Sequence, residues 1–343
     1  MKKFKRNWIF SFMIMGIILM LASSCKKEED STEVPTLTTS EVLKITDNSA
    51  TSGGSVTSDG GGSLTARGVC WSTSASPVLT DHFTDNGGGS GTFVSEMTNL
   101  QSNTTYHVRA YASNSAGTSY GNEVTFTTPP TVTDIDGNTY HTVNIGGQVW
   151  MSENLRVTHY RNGDALPNVT DNTEWINLTS GAWCNYNNDP ALGEMYGKMY
   201  NLYAILDARN ISPSGWHVPT DAEWKILEGN VDSQYHLGDP QWDVTGERGY
   251  DVGGKLKSTS TVWNAPNTGA TDETGFSALP GGARDPDDGT FASMNMGGFF
   301  ASVSSLNQDG VNYWYRDLWY ANSTSERLTI TKTVGGSVRC IKD

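Results

Sequence analysis

The chain has 343 residues, more than one small core usually fills, so two domains are expected. With 36% hydrophobic and only 17% charged residues, 37 Gly and 11 Trp, it reads as a Gly-rich, largely β protein, which excludes a helical bundle and a disordered chain. A formal net charge of -14, with no clustered basic run beyond the N-terminus, excludes nucleic acid as a partner, because phosphate binding needs concentrated positive charge; it leaves cations such as calcium open.

The chain opens on the basic run "MKKFKR" and an apolar stretch, "NWIFSFMIMGIILMLASS", that ends in small residues before Cys25. A membrane helix is one reading, but the run is short of the ~20 residues a bilayer span wants. "LASSC" resembles a bacterial lipobox, which implies that residues 1–24 are a lipoprotein signal peptide and that the Cys25 thiol carries the lipid. Residues 25–35 are polar without apolar periodicity and read as a flexible tether. "CKKEED" resembles the Lys-plus-two-acids signal that sends lipoproteins to the outer face of the outer membrane in Bacteroidetes-type bacteria; a merely solvating charged spacer is the other reading. The expectation is attachment to the outer membrane through a lipid anchor, at the cell surface.

Residues 36–129 alternate apolar and polar positions between Gly, Asn, Ser and Asp clusters, giving about seven short strands, whose half-polar faces need a second sheet to cover them. On "TYHVRA", Val108 and Ala110 take one face, His107 and Arg109 the other. "NLQSNTTYHVRAYA" resembles the Leu-to-Tyr spacing of fibronectin type III domains, which implies an all-β immunoglobulin-like sandwich with Tyr106 bonded back to the backbone at a corner. With no adhesive tripeptide present, the expected role is a spacer. Pro129 and Pro130 form a stiff boundary, since neither can donate to a ladder.

Residues 131–343 hold nine of the eleven Trp, which suggests a core stitched by aromatics under long loops. Asp134, Asp136 and Asn138 could be taken for a calcium loop, but no terminal Glu follows at EF-hand spacing, and Asp136-Gly137 reads as a hairpin turn. In "GWHVPTDAEW", Thr220-Asp221-Ala222-Glu223 is a capping box that starts a helix, Trp216 and Trp224 are expected to be packed, and His217 has no partner at metal-ligand spacing. Besides Cys25 there are Cys70, Cys184 and Cys340; an oxidising envelope permits one disulfide, and shared segment membership pairs Cys184 with Cys340, leaving Cys70 as a buried strand thiol.

Six ordered stretches, "IGGQVWMSENLRVTHYRNGDALPNV", "YGKMYNLYAI", "ISPSGWHVPTDAEWKIL", "GGKLKSTSTVWNAPN", "TGFSALPGGARD" and "GGSVRCIKD", resemble the FISUMP-type major paralogous domain of bacterial surface lipoproteins over residues 131–343. That family is similar to the formylglycine-generating, sulfatase-modifying enzymes, which implies an irregular α+β fold of C-type-lectin-like type. Those enzymes hold copper with two nearby C-terminal cysteines, whereas the nearest Cys before Cys340 is Cys184, a departure that argues against the activity.

Two further stretches are candidate ligand sites. In "NYWYRDLWY", Tyr313, Trp314, Tyr315, Arg316 and Trp319 give an aromatic-rich strand that either stacks on sugar rings or fills the core. In "ARDPDDGTF", Asp285, Asp287 and Asp288 are either a turn or calcium ligands. The expected function is a lipid-anchored surface protein with a non-catalytic binding module for a polysaccharide or another surface protein. The alternatives are a sulfatase-modifying-type enzyme and a structural component of the envelope.

Overall fold

A computed structural model describes residues 31–306 and 310–343; Cys25, the expected signal peptide and most of the expected tether lie outside the described residues. The first unit is built from β1 (Thr36–Thr39), β2 (Ala50–Ser58), β3 (Ala66–Ser72), β4 (His82–Phe83), β5 (Gly91–Met97), β6 (Thr105–Asn114), β7 (Gly117–Tyr120) and β8 (Val124–Thr127). One antiparallel sheet has the order β1-β2-β5, and the other runs β4-β3-β6-β7 with β8 also on β6. Period-two alternation decides which faces meet: Val108 and Ala110 of β6 are buried, while His107 and Arg109 are only half-buried. Leu37, Val56, Val69, Trp71, Phe93 and Phe126 fill the space between the sheets. The Tyr106 hydroxyl accepts the Gln101 backbone N–H at 2.9 Å, a tyrosine corner. Strand order and corner together make this a fibronectin type III-like sandwich.

Cys70 is buried on β3, as its strand position suggested. The tether differs from expectation at its end: the Glu33 N–H donates to the Gly60 carbonyl and Pro35 is buried, so the last residues before β1 already belong to the sandwich surface.

The remaining strands are β9 (Val132–Thr133), β10 (Thr139–Tyr140), β11 (Thr142–Ile145), β12 (Gln148–Met151), β13 (Trp183–Cys184), β14 (Met199–Tyr200), β15 (Trp216–His217), β16 (Gly246–Arg248), β17 (Ala283–Arg284), β18 (Phe291–Ala292), β19 (Gly297–Ser305), β20 (Tyr313–Trp319), β21 (Ser325–Ile330) and β22 (Ile341–Lys342). They form two four-stranded sheets, β11-β12-β22-β15 and β16-β21-β20-β19, and three two-stranded pairs. β9 and β10 make the expected hairpin. Asp134 accepts the N–H groups of Asp136 and Asn138 at 2.9 and 3.0 Å, and Gly137 takes the φ of 85° that closes the turn.

The helix Asp221–Val231 packs between the two larger sheets. Its Trp224 meets Trp150 of β12 at 5.0 Å between ring centroids and Phe300 of β19 at 5.9 Å. Trp150, Trp175, Trp216, Trp224, Trp242 and Trp263 are buried, so aromatics do stitch this core.

The two units touch beyond the Pro129-Pro130 junction. The Asp47 N–H donates to the Thr142 carbonyl at 3.1 Å and the Asn144 N–H to the Ile45 carbonyl at 3.1 Å, so residues 45–47 of the sandwich lie along the free edge of β11. Beside them the His141 ring bonds to the Asp47 carboxylate at 2.9 Å. An open sheet edge presents unpaired backbone groups, and this loop covers it.

Candidate functional site

Thr220 is the N-cap of the helix Asp221–Val231: its hydroxyl accepts the Glu223 N–H at 3.2 Å, and the Glu223 carboxylate accepts the Thr220 N–H at 2.8 Å. The capping box is as the sequence predicts. Asp221 does more than sit at a helix N-terminus. It is buried and accepts from Arg316 at 2.8 Å and from Arg327 at 2.7 Å, while Lys225 lies 3.0 Å away. Two turns on, buried Glu228 accepts from Arg316 at 3.0 Å, from Ser325 at 3.0 Å and from Arg248. Arg316 and Arg327 are cross-strand partners on β20 and β21, so the helix is clamped to the sheet by two carboxylates and three guanidinium groups. Burial pushes the Asp221 carboxyl up, but the adjacent Arg327 and Arg316 outweigh it and hold the group well below the usual carboxylate range.

His217, expected to be unpartnered, has two partners. Its Nδ1 lies 2.6 Å from Asp343 and its Nε2 2.9 Å from Glu223. Burial works to lower its pKa, and the hydrogen bonds to Asp343 and Glu223 raise it above the ordinary value. Glu223 thus serves cap and imidazole together.

The aromatic strand is mostly core. β20 lies between β19 and β21; Tyr313, Tyr315 and Arg316 are buried, and Trp314 and Trp319 are half-buried. Trp314 is covered by the Arg327 guanidinium 3.2 Å from its ring centroid, and Trp319 packs edge-on against Phe299 at 5.5 Å while its indole N–H donates to Glu326. An interior strand has neighbours on both edges, and here both faces are also occupied, so the five candidate ligand residues do not form an open sugar platform. On the same strand Asp317 is buried with one oxygen unpartnered, and burial beside Glu326 raises its pKa well above the usual range.

The acidic turn is a turn. Asp285 accepts the Asp287 N–H at 2.8 Å, and Asp288 accepts the Thr290 N–H and hydroxyl at 2.8 and 2.7 Å, which commits carboxylate oxygens to loop geometry. Among the described residues no group of three or more His, Cys, Asp or Glu is placed to hold a metal ion, so the calcium assignment to Asp285, Asp287 and Asp288 does not stand.

The expected disulfide is also corrected. Cys184 and Cys340 are free buried thiols in different core clusters: Cys184 packs with Val169, Trp175 and Met199, and Cys340 with Trp216 and Val218. Shared segment membership could not reveal that separation. Burial pushes the two thiols up to about 11 and about 12. Two separated, protonated thiols do not fit the copper centre that the sulfatase-modifying resemblance implies.

An open cleft of about 290 Å³ lies instead on the sandwich. Trp71 of β3 and His82 of β4 are register partners and stack with centroids 5.7 Å apart at 21°. Tyr106, Thr98 and Asn99 complete the lining with Phe83, whose ring meets Tyr111 on the other face of the sheet. Asn99 takes a positive φ of 58° just beyond β5. The residues come from four separate stretches, so no local sequence signal could have assembled them.

A comparison with curated proteins finds no match. Among solved structures, the sensor domain of the anti-sigma factor RsgI4 from Pseudobacteroides cellulosolvens is 19% identical, covering 29% of this chain and 99% of that one with a TM-score of 0.23. The fibronectin type III domain of human fibronectin type III domain containing protein 3 is 19% identical, covering 29% and 91% with a TM-score of 0.21. The Fibrobacter succinogenes major domain model matches residues 143–342, the stretch that holds the helix clamp, the aromatic strand and His217 with Glu223. Over that majority of its length the chain belongs to the Fibrobacter succinogenes major domain family.

Proposed function

We propose that this chain is a lipid-anchored protein of the bacterial cell surface, tethered to the outer membrane through Cys25, whose major-domain region is a non-catalytic binding module for a polysaccharide or another surface protein. One observation carries the reading: the carboxylates, histidine and thiols around the capped helix and the last strand are committed to structure. Asp221 and Glu228 neutralise buried guanidinium groups, Glu223 caps a helix and pairs with His217, and Cys184 and Cys340 are sealed in separate cores. A catalytic site needs a nucleophile or base left free to meet substrate, whereas a binding scaffold needs rigidity. Within the same proposal the region is a C-type-lectin-like variant, supported by its long irregular loops and by β12, near its start, lying beside β22 at its end.

Two experiments test the reading. Cys25→Ala abolishes palmitate labelling and releases the chain from the membrane fraction; unchanged labelling removes the anchor from the proposal. On a broad glycan array and in surface-protein pull-downs the intact chain retains a specific ligand. Silence in both would leave no support for a binding role.

A further inference from the structure

A buried cation is costly unless acceptors surround it. Among the described residues all but one have them. Arg248 and Arg316 donate to Glu228, Arg327 to Asp221, Arg284 to the Gly289 carbonyl and Arg339 to Asn154. Lys257 donates to the carbonyls of Thr268, Trp319 and Asn322 at 3.0, 2.8 and 2.7 Å. Lys198 is the exception: it is only 8% exposed, and its ammonium makes no hydrogen bond or ion pair to the described residues. We propose that Lys198 anchors a site for the carboxylate of a uronic acid ring. The inference rests on the polysaccharide form of the proposed function and names the class of that ligand.

The ammonium is held in place without being satisfied. Its Nζ lies 4.5 Å from the Trp183 ring centroid, and a cation–π contact offsets only part of the cost of burying an ammonium. The Lys198 N–H donates to the Leu155 carbonyl at 3.0 Å, which fixes the backbone end. Trp183 is fixed by its ladder partner Tyr200 on β14, and its indole N–H donates to the Leu166 carbonyl at 2.9 Å. The ring is thus a support under the ammonium and not a platform for sugar. Lys198 Nζ stays open to solvent, unlike the sealed and unpartnered Nε of Arg156, so a ligand atom can reach it. A fixed ammonium with its donors free lacks only the acceptor of a charge-assisted hydrogen bond.

Charge narrows the ligand. Arg156, whose guanidinium lies 4.9 Å from the Tyr140 ring centroid, acts on Lys198 as a second cation, while Glu194, Asp136 and Asp134 act on it as anions. Asp134 is engaged by the N–H groups of Asp136 and Asn138 and by the Tyr140 hydroxyl, and Asp136 by Thr158 and His159, so neither turns to the ammonium. Glu194 is exposed on the helix Pro190–Tyr196 and makes no ion pair with it. Three carboxylates against two cations give a field that opposes a dianionic phosphate, whereas one carboxylate matches the one unpaired ammonium. Access narrows it further. A folded partner meets its target over a face of about 800 Å² and does not reach a side chain as recessed as this one, whereas a uronic acid projects its carboxylate from the ring edge.

The test uses the full chain in a non-ionic, sugar-free detergent at about 0.15 M salt, which screens the acidic surface beyond ~8 Å and leaves a recessed pair intact. Hexamers of galacturonate, mannuronate and glucuronate are titrated by calorimetry, beside hexaglutamate and a methyl-esterified hexagalacturonate that keeps the ring and loses the charge. At least one oligouronate binds and shifts the Trp183 indole N–H signal in NMR, and the ester does not bind. Lys198→Met keeps the apolar stem, weakens that binding about tenfold or more, and melts no lower than the parent, because it removes a buried charge without breaking a hydrogen bond. Lys342→Met, at an exposed lysine on β22, leaves affinity unchanged. Binding that survives Lys198→Met overturns the site. Should that variant melt lower, the parent chain decides: a bound oligouronate that leaves the Trp183 signal unmoved overturns the site equally. Binding of the ester as well as the acid, or of hexaglutamate in place of every oligouronate, overturns the uronate assignment. A chain that binds none of the oligouronates overturns the inference, and capture of a neutral glycan or a surface protein would then still support the wider binding role.

Discussion

His217 sits between Glu223 and Asp343, and its raised pKa ties this contact to pH. A histidine whose folded pKa exceeds its unfolded value of 6.5 contributes stability that is fully present below 6.5 and is lost as pH rises through the folded value. His217→Gln therefore flattens the decline of melting temperature on the alkaline side of 6.5, and the imidazole titrates above 6.5 by NMR in the parent chain. The cysteines give a second residue-scale expectation. Cys70, Cys184 and Cys340 resist iodoacetamide in the native chain and react only after unfolding, and a non-reducing mass measurement finds no intrachain bond between Cys184 and Cys340. At this scale the sequence was legible wherever partners are near. The capping box joins residues only three positions apart, so it is legible locally. The Asp343 partner of His217 lies 126 residues away, and nothing local announced it.

The helix Asp221–Val231 is the element on which the family region turns. Thr220→Ala removes its cap and costs about 1 kcal/mol in urea denaturation. Asp221→Asn costs more, about 3–5 kcal/mol, because Arg316 and Arg327 are left buried with less opposing charge. Since the Asp221 pKa is depressed, its contribution is present above 3.8 and fades as pH falls below it, so the gap between parent and Asp221→Asn narrows in acid. Period-two alternation identified β20 as a strand and β6 as a half-buried one. It could not tell that both faces of β20 are covered, because that depends on β19, β21 and the Arg327 side chain. The cleft was invisible for a related reason: Trp71, His82, Asn99 and Tyr106 meet only once the two sheets are stacked.

At the scale of the molecule, the two units were legible from composition and turn spacing, but the contact between them was not. Residues 45–47 run along β11, and Asp47 bonds His141, so the junction is more than a proline hinge. The sandwich and the family region should tumble with one correlation time in NMR relaxation, and Asp47→Ala should loosen that coupling without unfolding either sheet system. The placement of β22 has a different consequence. This strand, from the last residues of the sequence, is not at an edge; it lies between β12 and β15, paired through Trp150, Trp216 and His217. A polypeptide emerging N-terminus first can close its sandwich early, since all of those strands precede residue 128. The family region has no such freedom. Its central ladder stays open until Ile341 is in place, and Trp150 and Trp216 must be kept from aggregation meanwhile, which makes closure of this sheet a late step of folding.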